Sequence, residues 1–332
     1  MNSMSENAVT AEEKSMNAGR RTAKNKSMTV FVFMLTLLAA AARFPAVHFF
    51  SDPYTGFYER NAAGGFLDYL PGLADYAISA IIAVLFLTQF VLYRQKRSEP
   101  PSGEAFDRFV QGTQPLAFTS VLVGFMMLSN AVIYVYDYLN KAWDSQTGFS
   151  RVFSDASSYF NGFTVRSLGV LLGFALGAMC IPAGIYFIKT AFIKPAGKEG
   201  GEPPVHGSRI AMSFTPFLWM IGRVFNCFFN MSSAVNAPGR MYELVCMLAM
   251  MLYFVSETRL LSGDLRSARF FTYAYISLIM IAASSSVNLV LNSFTYYNAV
   301  SFLQIVYATD VAVFAYIITR LYAQHGYAGY RE

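Results

Sequence analysis

The chain has 332 residues, 55% of them hydrophobic and only 14% charged, with 31 Phe, 21 Tyr and a formal net charge of +5. Soluble domains carry roughly 25% charged residues, and the mean hydropathy here is +0.39. Disorder, a collagen, a disulfide scaffold and an ordinary soluble enzyme are excluded, which leaves an all-α polytopic membrane protein.

Residues 1–27 are polar and rich in Ser, Asn and Ala, and read as a disordered tail. Eight hydrophobic segments follow, near 28–50, 71–93, 115–137, 166–190, 210–231, 241–257, 269–291 and 297–320. A helix crossing the hydrocarbon core needs about 20 mostly apolar residues. Seven segments meet that length easily, and the fifth is weaker because Arg223 interrupts it. If segments five and six formed a re-entrant hairpin, six spans would remain with the same end orientation. Residues 28–322 thus form an eight-helix transmembrane domain, and 323–332 a short tail.

Lys and Arg gather in cytoplasmic loops. The N-terminal tail, the second, fourth and sixth connections and the C-terminus hold all the Lys and Arg except seven. Arg60, Lys141, Arg151, Arg166 and Arg240 fall on the opposite side, and Arg43 and Arg223 inside spans. Both termini are therefore expected in the cytoplasm. The basic residues are scattered, so the net charge is topogenic and gives no sign of nucleic-acid binding.

Segment one also reads as a signal peptide, with a basic start, an apolar run and AAAAR before a cleavage point near Ala42. An uncleaved helix is the better reading, because the apolar run continues through FPAVHFF to spanning length. Cys180, Cys227 and Cys246 lie in spans and read as small packing residues.

Segment four carries Gly169, Gly173 and Gly177 every four residues. That stripe lets two helices approach closely in lipid, as an internal contact or as the face of a homo-oligomer. Pro182 should kink the same helix. The odd-numbered segments carry polar stripes: Asn130, Tyr134 and Asp137; Trp219, Arg223, Asn226 and Asn230; Ser284, Ser285, Asn288 and Asn292. Lipid does not solvate such groups, so they face the bundle interior as packing contacts or line a polar vestibule open to the outside.

Arg223 lies about 13 residues from the inner end of its segment and Asp310 about 10 residues from the inner end of segment eight, roughly 20 Å and 15 Å deep. An unpaired charge there is costly, so an Arg223–Asp310 pair is expected, with Glu243 as a competing partner. Arg43 would then stay free to attract an anion. The substrate-binding candidates are Arg43, Arg223, Asn226, Glu243, Asn288 and Asp310.

Two loops share a turn pattern, DPYTGF at 52–57 and DSQTGF at 144–149, with Asp opening the turn and Gly permitting positive φ. At DPYTGFYE the chain resembles uncharacterised multi-pass membrane proteins of Firmicutes-type bacteria, in which an Asp-x-x-Thr-Gly turn follows the first helix. The resemblance covers only the residues around that turn. It implies a bacterial plasma membrane and brings no known activity, so no functional residue is carried over.

No cofactor motif is present: there is no P-loop, no Rossmann fingerprint and no G-x-S-x-G elbow. No His/Cys/Asp cluster has metal spacing. His48 and Asp52 stand one residue short of the H-x4-D pattern of glycerolipid acyltransferases. An enzyme is not expected. What the sequence supports is either a small-solute transporter or solute-binding membrane protein, or a structural, accessory or sensory component acting through protein partners in the lipid bilayer.

Overall fold

The structure is a computed structural model and describes residues 29–50, 58, 69–96, 113–143, 165–192, 207–229, 238–262, 267–295 and 302–326. The N-terminal tail and both Asp-x-x-Thr-Gly turns lie outside the described residues. All the described elements but isolated turns and one bridge residue are helical: α1 (Thr29–Phe50), α2 (Leu70–Lys96), α3 (Gln114–Trp143), α4 (Val165–Ala191), α5 (Gly207–Ser213), α6 (Thr215–Phe229), α7 (Pro238–Leu261), α8 (Ser267–Ile281), α9 (Val287–Thr295) and α10 (Phe302–Gly326). A five-residue π-helical stretch, Ala282–Ser286, joins α8 to α9, so the two form one rod.

Six helices are long and apolar enough to cross a membrane: α1, α3, α4, α7, the α8–α9 rod and α10. Their outer faces fit lipid. Val30, Phe31, Met34, Leu37 and Leu38 stand exposed on α1, and Phe118, Phe125 and Val132 on α3. In water such stripes would be aggregation sites. The chain is a multi-pass membrane protein.

Six helical units pack in a closed order, α3 to α4 to α6 to α7 to α8 to α10 and back to α3, while α2 lies outside this ring against α8. α1 reaches α8 through the Thr29 and Tyr275 hydroxyls, 3.2 Å apart. Trp219, Tyr134, Tyr253, Phe254, Phe187 and Tyr316 fill the interior.

The start of α3 follows from its sequence. Thr113 stands at the N-cap, where its hydroxyl accepts the Leu116 N–H at 3.4 Å, and Pro115 occupies the first turn, where its missing N–H costs nothing. The fifth hydrophobic segment is not one helix but two, broken at Phe214. Pro216 has no N–H to give the Met212 carbonyl, and the Thr215 hydroxyl supplies the bond instead at 2.7 Å. From α7 the Thr258 hydroxyl donates to the Ser213 carbonyl at 3.0 Å. The break is stitched to the ring. Pro182, by contrast, interrupts nothing in the helical assignment of α4.

At Gly177 the glycine stripe of α4 faces α3. A Cβ on Gly177 would meet Val135, the Ala131 carbonyl and Tyr134 of α3 at 3.2–3.4 Å. At this position the expected homo-oligomer face is already covered by the same chain. The tightest approach lies two turns further on, at a pair the spacing did not flag. A Cβ on Gly184 would stand 3.0 Å from the Gly124 carbonyl, and one on Gly124 would stand 2.9 Å from the Gly184 carbonyl. Backbone cannot swing aside as a side chain can. Gly124→Ala should therefore cost about 1–3 kcal/mol by overpacking. Gly72→Ala, with open space around it, should be neutral or slightly stabilising in the same helix context. Unfolding of the purified protein in mixed micelles checks both.

Candidate functional site

Among the described residues, three polar clusters lie in this apolar bundle; two join helices across the ring and the third ties α1 and α2 to it. The central one joins α6 to α10. Arg223 donates through Nη1 to Asp310 Oδ1 at 2.5 Å and through Nη2 to Oδ2 at 3.0 Å, a fork-to-fork pair with both residues buried. Ser285, in the π-helical stretch, donates to the same Oδ2 at 2.7 Å. The Trp219 ring lies under the guanidinium, 4.9 Å from its carbon. Next to Asp310, the Thr309 hydroxyl accepts Asn130 Nδ2 at 2.5 Å. The π-helical turn widens the rod where Ser285 meets α10, a geometry frequent at functional sites.

The pair itself is closed, but its surroundings are not. Among the described residues, Asn130 Oδ1 and Ser284 Oγ are buried without a hydrogen-bond partner. Asn130 is bonded to the neighbour of Asp310, and Ser284 precedes Ser285 in the chain. Buried polar atoms are paired as a rule, so two orphans beside one ion pair call for an explanation.

Further along α7 toward its N-terminus, Glu243 accepts hydrogen bonds from the Tyr307 hydroxyl and, at 3.4 Å, from Asn288 Nδ2. Both partners are neutral. Asn226 stands three residues beyond Arg223 on α6, half-buried.

A second ion pair lies at the opposite end of the α7–α10 contact. Arg320 Nη2 stands 3.1 Å from Glu257 Oε1, each side chain only 1% exposed. Tyr186 of α4 donates to that oxygen at 3.3 Å and Tyr316 also donates to it. Arg320 Nε in turn donates to the Tyr316 hydroxyl at 2.9 Å.

The third cluster ties α1 and α2 to α7. Arg43 Nη1 donates to Asp75 Oδ1 at 3.1 Å, and its guanidinium lies 4.0 Å from the centre of the Tyr242 ring. Tyr242 and Tyr58 donate their hydroxyls to Asp75. Arg43 is therefore not the free cation expected from the sequence. Its counter-charge sits in segment two, an even-numbered helix outside the polar stripes.

Of the predicted candidates, the structure brings Arg223 to Asp310 and Glu243 to Asn288, and leaves Arg43 in a separate cluster. Glu243 bonds Tyr307 and Asn288 rather than Arg223. Glu257, Arg320, Tyr186 and Asp75 are polar core residues that the sequence reading missed. His48 stacks on Phe44 and meets Phe49 edge-on, with ring centres 5.8 and 4.6 Å away, and His325 lies in the last turn of α10. Among the described residues no group of three or more His, Cys, Asp or Glu could hold a metal ion. No protein-family model matches the chain, and no curated protein or solved structure is similar to it.

Proposed function

We propose that this is a non-enzymatic plasma-membrane protein of bacterial type that binds a small polar solute in the ring, around Arg223 and Asp310, and serves its transport or detection. The single observation that carries this reading is a buried ion pair at a π-helical turn, with Asn130 Oδ1 and Ser284 Oγ beside it left without a hydrogen-bond partner among the described residues. Glu243, which accepts from Tyr307 and Asn288, adds an acceptor at the α7 N-terminal side. On the topology that the Lys and Arg distribution supports, with eight crossings and both ends cytoplasmic, that side is external, and Asn226, Glu243 and Asn288 line the approach. α2 and the broken α5–α6 segment supply the two crossings beyond the six long helices.

A second reading is a structural or accessory component, in which the polar groups only fix helix register. The bidentate closure of Arg223 on Asp310 favours it.

A ligand panel on protein in nanodiscs separates the two. Amino acids, small carboxylates, nucleosides, phosphates and lipid headgroups are read by thermal shift. A ligand at 100 times its Kd adds about 2.7 kcal/mol of stability. The solute reading expects at least one such shift, lost in Arg223→Gln and weakened in Ser284→Ala, which leaves the ion pair intact. A panel without any shift, beside an intact fold, supports the structural reading.

A further inference from the structure

Away from the ring interior, α7 and α8 leave a cleft of about 140 Å³ at the end where the two helices connect. Its apolar walls are Leu252, Val255 and Leu260, and its polar groups include Arg259, Arg269 and the Tyr273 side chain. The register explains the grouping. Leu252, Val255 and Arg259 lie on one face of α7 at spacings of three and four, and Arg269 and Tyr273 are one turn apart on α8. Arg259 is two residues from the end of α7 and Arg269 two residues from the start of α8. Leu252 lies seven residues deeper than Arg259, roughly 10 Å at the helical rise. The cleft is thus cationic at the helix ends and apolar toward the middle of the bilayer.

Neither guanidinium has an ion-pair partner among the described residues. That sets them apart from Arg43, Arg223 and Arg320, which are each matched to a carboxylate. Two arginines with no ion-pair partner among the described residues, beside a tyrosine, at the membrane boundary and above an apolar wall, match the chemistry of a phosphate with an acyl chain attached.

We propose that the α7–α8 cleft binds an anionic phospholipid, with Arg259 and Arg269 on the headgroup phosphate and the acyl chain along Leu252 and Val255. Charge complementarity and depth fix the occupant. The site is separate from the Arg223–Asp310 centre and stands or falls independently of the solute reading.

The test uses the full chain in detergent, titrated with phosphatidylglycerol and, separately, with phosphatidylcholine, and read by retention of lipid in native mass spectrometry. Each basic residue near an anionic surface contributes about a fivefold gain in affinity, so Arg259→Gln/Arg269→Gln should bind phosphatidylglycerol about thirtyfold more weakly. Arg259→Lys/Arg269→Lys should keep part of the binding. Both arginines are at least partly exposed, so these variants leave the fold and the ring interior intact. Equal retention of the two lipids by the native protein overturns the proposal, as does undiminished phosphatidylglycerol binding in the double Gln variant. Displacement of bound lipid by millimolar inorganic phosphate alone would assign the cleft to a soluble phosphate compound instead.

Discussion

Arg223→Leu is expected to destabilise the bundle by about 3–5 kcal/mol, and Arg223→Leu/Asp310→Leu to recover most of that loss. Asp310 is 1% exposed, with Arg223 as its ion-pair partner among the described residues. Removing the arginine leaves a carboxylate in an apolar interior with only the Ser285 hydroxyl to hold it. Removing both charges exchanges two desolvated ions for apolar side chains, a change that is often neutral or better. A double-mutant cycle on unfolding in mixed micelles reads the coupling directly. Equal damage in the double and single variants would show that the two groups do not depend on each other.

The second large effect is expected at the other end of α7. Arg320→Met should cost about 3–5 kcal/mol, because Glu257 then loses its ion-pair partner and keeps only tyrosine hydroxyls and the field of nearby Arg209. Adding Glu257→Gln should restore much of the loss, since the amide oxygen still accepts the Tyr186 and Tyr316 hydroxyls without carrying charge. Tyr316→Phe alone should cost less, about 1.5–3 kcal/mol, the scale of one hydrogen bond to a charged group. Thermal denaturation of the four proteins in one detergent gives the order. Arg320→Met as mild as a surface change would mean that the pair is wetted rather than buried.

These two pairs show what the sequence makes legible. Arg223 and Asp310 stand out because each is a lone charge deep in an apolar run, and counting 1.5 Å per residue puts them about 5 Å apart in depth, a gap that an Arg side chain spans. Glu257 and Arg320 fall at the ends of their segments, where a charge reads as a loop flank. Arg320 thus counted as topogenic although it is buried. Subtracting it leaves the strong asymmetry of Lys and Arg unchanged. Asp75 escaped because its helix carries no polar stripe, only one carboxylate near its start. The close approach of Gly124 and Gly184 was hidden for another reason. A spacing rule sees one helix at a time, and this contact is a match between two. The π-helical turn has no period to detect. Three serines in a row announce a polar patch, but the widened turn becomes visible only when Ser285 meets Asp310 on another helix.

The break of α5 and α6 at Phe214 is partly legible, since a proline inside a helix removes a backbone donor and Arg223 interrupts the segment. What holds the pieces together, the Thr215 hydroxyl on Met212 and the Thr258 hydroxyl on Ser213, is tertiary and could not be read locally.

Arg223 and Asp310 are 87 positions apart. A ribosome adding about 5–20 residues per second takes roughly 4–17 s to cover that distance. For those seconds the nascent α6 carries an uncompensated guanidinium, while Arg43 meets Asp75 only 32 positions on. On the proposed eight-crossing topology, the α1–α2 hairpin is neutralised within its own length, whereas α6 gains its counter-charge only from α10, 87 positions on. α10 is then the helix that locks the middle of the chain. Truncation before Asp310 should leave a chain that is made but never locked, with quality-control proteolysis as its fate.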